Sequence, residues 1–305
     1  MYKALVIGCG SIGALYDLKN NHILTHAKAY ATNKKFKLWV YDTDNSKSKL
    51  IAKKYKTELL TTLDDASLKG FDFVSICTPT DNHFKLLQQL IALRTKLIIC
   101  EKPISYSLEE LNFLKKSYLA NDSKIVINYI RRFHPAYKLV KKHINSKIKN
   151  EKPTQIVIKY KRGFLNNTSH AFDTINYLLG ISVKLGKPKA CIQIFDAFSN
   201  DPTLTCNTIY NGIKTAVIGL TDVNYPLFEI EIYYQDEKIL ILNSGNEIAY
   251  YNKLNSLKPS KTWNNAIENY MKYVIKDAID IYENRGNDNF LHSLELNKTL
   301  LQFIK

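Results

Sequence analysis

The sequence predicts an α/β chain: an N-terminal doubly wound parallel sheet, then an α+β domain built on a large, mostly antiparallel open sheet. Three observations carry this. Short apolar runs alternate with helical patterns through the first third of the chain. A glycine-rich turn, Gly8-Cys9-Gly10-Ser11-Ile12-Gly13, directly follows the first of those runs. After about residue 150 the pattern becomes a succession of strands with few helices between them.

In the first domain, strands are expected over residues 3–7, 37–41, 71–77, 96–100 and 124–128. Several are almost continuously apolar, as strands must be when helices cover both faces of a sheet. Phe84, Leu87, Leu90 and Ile91 share one helical face. Leu108, Leu111 and Leu114 share another, with Ser107 as its N-cap. In the second domain, strands are expected over 155–161, 189–194, 203–210, 215–221, 228–234 and 238–242, interrupted early by a helix over 169–179. Helices over about 262–282 and 289–304 close the chain, the last with an apolar face of Leu291, Leu294, Leu300 and Leu301. The expected division is 1–125 and 126–305, with the last helices packing back on the first domain.

The 305 residues are 45% hydrophobic and 23% charged, an ordinary composition for a soluble globular protein. No run of apolar residues is long enough for a membrane span. Residues 1–8 read as a strand that starts at once, not as a signal peptide, so a cytoplasmic protein is expected. The five cysteines include no C-x-x-C pair, which suggests neither a zinc site nor a disulfide framework; no metal is expected. The net charge is +15, but the lysines are scattered rather than gathered in a stripe, so no nucleic-acid partner is expected. Such a field suits an anionic small substrate, for example a nucleotide sugar.

Each glycine of the turn has a separate task. Gly8 permits the tight turn, Gly10 lets the backbone approach a pyrophosphate, and Gly13 lets helix pack closely on strand. Ser11 and Ile12 stand where a helix N-terminus would offer free N–H groups to phosphate. Asp42, at the end of the second strand, can accept hydrogen bonds from both adenosine ribose hydroxyls and would repel a 2′-phosphate. NAD is therefore the expected cofactor. Lys47 and Lys49 lie nearby and keep NADP as the alternative. Asp44 is a rival acid but lies past the strand end. Asp42 is farther from Gly13 than the usual ~20 residues, and 15–24 reads as an inserted surface loop, with a lid as the other reading.

Further motifs follow in order: Cys77-Thr78-Pro79-Thr80-Asp81-Asn82-His83, Cys100-Glu101-Lys102-Pro103, Asn128-Tyr129-Ile130-Arg131-Arg132-Phe133-His134-Pro135, and Ser169-His170-Ala171-Phe172-Asp173 ahead of Leu178-Leu179-Gly180. The series resembles the glucose–fructose oxidoreductase and inositol dehydrogenase family, Gfo/Idh/MocA. The resemblance implies a Rossmann domain followed by a sheet domain, hydride transfer between nicotinamide and a sugar or polyol carbon, and homodimers or homotetramers through the sheet.

It also implies roles. Lys102 matches the lysine beside the nicotinamide. A free lysine, with a pKa near ~10.4, is a poor base, but burial and an oxidised nicotinamide would lower that value. As a cation it would instead donate to a carbonyl oxygen during reduction. His170 matches the histidine of the sugar site and can relay a proton near neutral pH. Asp173, one helical turn later, would orient that imidazole, contact a sugar hydroxyl, or pair locally. Asn166 stands where many members carry an aspartate, and an amide can hold a hydroxyl but not accept its proton. Thr168 stands where a glycine is common. Lys102 and His170 would then carry the proton work alone. Tyr129 and Arg132 are candidate substrate contacts, Arg132 having a structural ion pair as its other reading. Thr78, Pro79, His83 and Glu101 would shape the nicotinamide side. Tyr160, Phe164, Tyr233 and Tyr234 offer sugar-stacking surface or sheet core. The expected activity is NAD(P)-dependent oxidoreduction of a sugar or nucleotide sugar. The alternative, kept open by Asn166, is a redox-inactive NAD(P)-binding sensor or regulator of the same fold.

Overall fold

The computed structural model describes residues 1–148, 151–196, 198–253 and 257–304, and the chain divides into two units. Met1–Ile130 with Glu268–Leu294 form one; Arg131–Ile267 with Glu295–Lys305 form the other.

The first unit runs β1 (Tyr2–Ile7), α1 (His26–Ala31), β2 (Phe36–Tyr41), α2 (Asn45–Tyr55), β3 (Glu58–Leu59), α3 (Asp65–Leu68), β4 (Phe73–Ile76), α4 (His83–Ala92), β5 (Leu97–Cys100), α5 (Leu108–Leu119) and β6 (Lys124–Ile127). The strands form one parallel sheet in the order β3-β2-β1-β4-β5-β6. Every residue of β4 and β5 is buried, as their continuous apolar sequences require. Helix α4 buries Leu87, Leu90 and Ile91, and α5 buries Leu111 and Leu114 behind Ser107, whose side chain accepts the Glu110 N–H. Strand order reverses on either side of β1, which opens a crevice at the carboxyl ends of β1 and β4.

The segment after the glycine turn departs from expectation. Only a five-residue π turn, Ser11–Leu15, follows Gly10; the first α-helix starts at His26, capped by Thr25. The intervening loop is fastened rather than merely exposed. Asp17 is fully buried, and its carboxylate accepts the Leu24 N–H (2.6 Å), the Thr25 N–H (2.9 Å) and the Thr25 hydroxyl (2.9 Å). Lys28 closes it by donating to the Asp17 carbonyl at 2.9 Å.

The second unit runs α6 (Pro135–Lys147), β7 (Gln155–Lys161), α7 (Ser169–Leu179), β8 (Lys189–Ile194), β9 (Thr203–Tyr210), β10 (Ile213–Leu220), β11 (Phe228–Tyr233), β12 (Glu237–Leu242), β13 (Glu247–Asn252) and β14 (Lys261–Trp263). The sheet order is β14-β13-β12-β11-β7-β10-β9-β8. Among the described residues of this sheet, only β7 and β10 pair in parallel; the other neighbours are antiparallel. Alternation sets the core face: Ile156, Ile158 and Tyr160 on β7 meet Phe228, Ile230 and Ile232 on β11 inside. Helix α7 lays Ala171, Phe172, Ile175 and Leu178 into the core and ends at Gly180 in the left-handed region.

The closing helices are α8 (Tyr270–Tyr282) and α9 (Phe290–Ile304). The helix expected over 262–282 is thus too long at its start. Thr262 and Trp263 pair instead with Ala249 and Ile248 of β13, because an open ladder edge was available to this β-branched and aromatic pair. In α9, Leu294, Leu300 and Leu301 are buried as expected, but Leu291 is exposed; Phe290, one position earlier, takes the inward place.

Candidate active site

The glycine turn is built by steric necessity at two positions and by open space at the third. Gly8 has φ +97°, and a Cβ there would lie 2.7 Å from the Cys77 carbonyl oxygen. A Cβ on Gly13 would lie 1.9 Å from the Gly8 carbonyl oxygen. At Gly10 a Cβ would meet nothing within 4 Å, because the residue faces a cavity of about 900 Å³. Gly8, Gly10, Asp42, Lys47, Thr78 and Pro79 are among its lining residues. Ser11, Ile12, Gly13, His83, Glu101 and Lys102 are not.

Asp42 is held from two sides. One carboxylate oxygen accepts the Cys9 N–H at 2.6 Å and the other the Asp44 N–H at 2.8 Å. The acid is therefore tied to the backbone of the glycine turn itself. Asp44, the rival acid, is the N-cap of α2 and accepts the Ser46 N–H at 3.0 Å. Burial, with Asp42 adding to it, pushes the Cys9 thiol up to about 12, so it stays a thiol. The Thr78 Oγ1 is buried and has no hydrogen-bond partner among the described residues. An unanswered hydroxyl beside a cavity, and a glycine whose missing Cβ leaves the room, together fit a bound dinucleotide phosphate and ribose.

The Glu101-Lys102-Pro103 turn leaves β5 through a cis Lys102–Pro103 peptide. His83 fastens it to the preceding loop: Nδ1 lies 2.8 Å from the Pro103 carbonyl oxygen and Nε2 2.9 Å from that of Thr78. Burial holds the His83 pKa below its ordinary value against the pull of those two carbonyls. Glu101 is buried at the end of β5, and its Oε1 receives His26 Nε2 at 3.0 Å and Asn128 Nδ2 at 2.5 Å. Burial alone would raise this carboxyl; the His26 and Asn128 hydrogen bonds and the Lys102 charge reverse that and lower it. Lys102 itself is half-buried, and Tyr129 is buried just beyond β6.

In the second unit, Asp173 is fully buried on α7 and Arg132 Nε meets both its carboxylate oxygens, at 2.6 and 2.8 Å. Burial pushes the Asp173 carboxyl up to about 6 despite the opposing Arg132 charge. Of the roles expected for Asp173, the local ion pair is the one these distances establish. His170, one turn earlier, is half-buried with its ring edge-on to Phe228, centroids 6.5 Å apart. Arg131 covers Phe228 at 3.7 Å and donates to the Ser244 carbonyl. Asn166 is half-buried in a π turn, Phe164–Thr168. Its N–H and that of Leu165 go to the buried carboxylate of Asp201, at 2.8 and 2.6 Å. Tyr160 and Phe164 are core residues, fully buried, rather than stacking surface.

Sequence reasoning missed His26, Ser75 and Asp201, which hold the candidate residues from behind. His26 carried a weak local signal, a lone imidazole in the otherwise small-residue stretch Ala27-Lys28-Ala29. Ser75 and Asp201 carried none, since their partners are remote in sequence. Among the described residues no group of three or more His, Cys, Asp or Glu could hold a metal ion, and no helix is long and apolar enough to cross a membrane.

A parallel sheet in this order, with a glycine turn at its crevice and an acid closing the second strand, has the architecture of a dinucleotide-binding Rossmann unit. Residues 2–129 match the model of the Gfo/Idh/MocA oxidoreductase family, described as an NAD-binding Rossmann fold. It is similar to the uncharacterized oxidoreductase YrbE of Bacillus subtilis (strain 168), with 25% identity over 267 residues, 80% of this chain and 72% of that one. The inositol 2-dehydrogenase of Rhizobium meliloti (strain 1021) is 31% identical over 189 residues, 57% of this chain and 54% of that one. The structure of UDP-N-acetylglucosamine 3-dehydrogenase from Acidithiobacillus ferrooxidans superposes with a TM-score of 0.79, covering 99% of this chain and 96% of that one at 18% identity, a likeness of fold.

Proposed function

We propose that the protein is an NAD-dependent oxidoreductase that moves a hydride between nicotinamide and a carbon of a sugar or nucleotide sugar. The observation that carries this is the cavity at the glycine turn, framed by Gly8, Gly10, Asp42 and Thr78. The inositol and UDP-N-acetylglucosamine dehydrogenases among its relatives and structural neighbours support the substrate class. The scattered positive charge supports an anionic substrate. Gly8, Gly10, Ser11, Ile12, Gly13, Asp42, Thr78, Pro79, His83 and Glu101 are proposed to hold or shape the cofactor site, with Asp42 favouring NAD over NADP. When bound, nicotinamide supplies the hydride acceptor or donor.

Lys102 holds a proton at the substrate oxygen, and His170 passes it onward. Asn166 and Tyr129 bind hydroxyls. Arg132 and Asp173 form a fixed, ion-paired wall of the substrate site. Homo-oligomerisation through the second sheet belongs to the same proposal, supported by the exposed Ile192 and Ile194 of its edge strand β8. So does a cytoplasmic location, supported by five free cysteines, four of them buried.

The test is a titration with NADH and NADPH, followed by turnover with NAD on a panel of inositols and UDP-sugars. Lys102→Ala is expected to bind NADH as wild type does and to lose about 100-fold or more in kcat. The second reading, a redox-inactive sensor, is favoured by Asn166 and by the engagement of Asp173 with Arg132. It gains if wild type binds NADH tightly yet turns over nothing on the panel.

A further inference from the structure

A buried polar chain runs beneath the Glu101-Lys102-Pro103 turn. Tyr30 Oη lies 3.0 Å from Ser75 Oγ, Ser75 Oγ 3.0 Å from His26 Nδ1, and His26 Nε2 3.0 Å from Glu101 Oε1. Asn128 adds its amide to the same Glu101 oxygen and lies 3.4 Å from the Met271 sulfur. Tyr30, Ser75 and His26 have no exposure at all. The chain therefore links α1, β4, β5 and the end of β6 at one point, directly behind Lys102.

Its direction follows from donor and acceptor capacity. An ionised carboxylate only accepts, so His26 Nε2 must carry the proton. In a neutral ring Nδ1 is then an acceptor, and Ser75 must donate to it. Ser75 Oγ in turn accepts the Tyr30 hydroxyl, which burial keeps protonated. Every proton has one place, and none is left over. The Asn128 orientation is fixed likewise, because its carbonyl oxygen would face Glu101 with two like charges.

We propose that His26 is a positioning residue: held as the Nε2–H tautomer by Tyr30 and Ser75, it fixes the Glu101 carboxylate and so the turn that presents Lys102. The groups facing Glu101 are His26 on α1, Cys77 after β4, Cys100 at the end of β5, His83 on α4 and Lys102. The two thiols are buried and neutral, and His83 is engaged with backbone carbonyls, which leaves His26 as the one titratable group that, with the Asn128 amide, sets the carboxylate's hydrogen bonding. Only the importance of this for turnover rests on the catalytic reading of Lys102.

The test is magnetic resonance on protein labelled with 15N in histidine and 13C in glutamate carboxyls. His26 is expected to give the neutral Nε2–H pattern at about pH 7. A cationic ring or an Nδ1–H ring overturns the proposal. In His26→Leu the Glu101 carboxyl is expected to titrate at higher pH, and NADH affinity to fall about fivefold or more. His26→Gln, which keeps an amide donor, should recover most of both. If the Glu101 titration is the same in wild type and in a folded His26→Leu, the proposal fails even if stability has dropped. Failure of wild type to bind NADH would sink the functional reading and leave these signals intact, so the two failures are distinguishable.

Discussion

Arg132 meets both carboxylate oxygens of Asp173 through a single nitrogen, Nε, at 2.6 and 2.8 Å. The carboxyl is fully buried and titrates near 6, above its ordinary value of 3.8. A raised folded pKa means that the folded state holds the proton more tightly than the unfolded state. The contribution to stability is thus complete below about pH 4 and is lost as pH rises through about 6. Asp173→Asn cannot titrate. The stability of wild type relative to this variant should fall by up to about 3 kcal/mol across that window, read from denaturant unfolding at a series of pH values. A constant difference would contradict it.

The glycine turn separates folding from binding. Gly13→Ala must displace the Gly8 carbonyl, so it should destabilise the fold by several kcal/mol, at about the upper end for single substitutions. Gly10→Val meets no protein atom within reach of its Cβ and should melt within a few degrees of wild type. It should nevertheless lose NADH binding by about 100-fold, because its side chain fills the cavity. Calorimetry and fluorescence titration check the two halves separately.

Asp42→Ser should shift cofactor preference. Removing the carboxylate removes both the expected ribose contacts and the repulsion of a 2′-phosphate. The ratio of NADPH to NADH affinity should rise about tenfold or more, on the strength of about one charged hydrogen bond. A small drop in stability should accompany it, since the Cys9 N–H loses its charged acceptor. An unchanged ratio would remove Asp42 from the cofactor site.

The inserted loop depends on one carboxylate. Asp17→Ala strands the N–H groups of Leu24 and Thr25 in a buried setting and should destabilise the protein by about 2–4 kcal/mol. Faster amide exchange over residues 16–25 should accompany the loss.

What the sequence made legible was whatever a local pattern can encode. β4 and β5 were readable because four consecutive buried residues leave an uninterrupted apolar run. The cap at Ser107 and the end of α7 at Gly180 were readable from single residues. Strand β14 was not, because Lys261-Thr262-Trp263 is too short to show a period, and only the open edge of β13 makes it a strand. Helix α6 was overlooked although Pro135 stands in its first turn behind His134, an N-cap outside the usual set. At the site, the glycine turn, Asp42 and the Glu101-Lys102-Pro103 motif stood out as contiguous text. The groups that hold them did not. Asp201 reaches the Asn166 turn across 35 residues, and His26 reaches Glu101 across 75. Such partnerships exist only once the sheet has brought the chain segments together.

The parallel pairing of β7 with β10 has a consequence for how the second unit is made. β7 lies between β10 and β11, and both are translated long after it. Until Tyr233 has left the ribosome, a central strand of that sheet has at least one open edge and an apolar face of Ile156, Ile158 and Tyr160. Nascent chains arrested before Phe228 should bind holdase chaperones, whereas chains arrested beyond Asn252 should release them. Low temperature or slow elongation around β8 and β9 would lengthen that exposure, and soluble yield should track the time spent there.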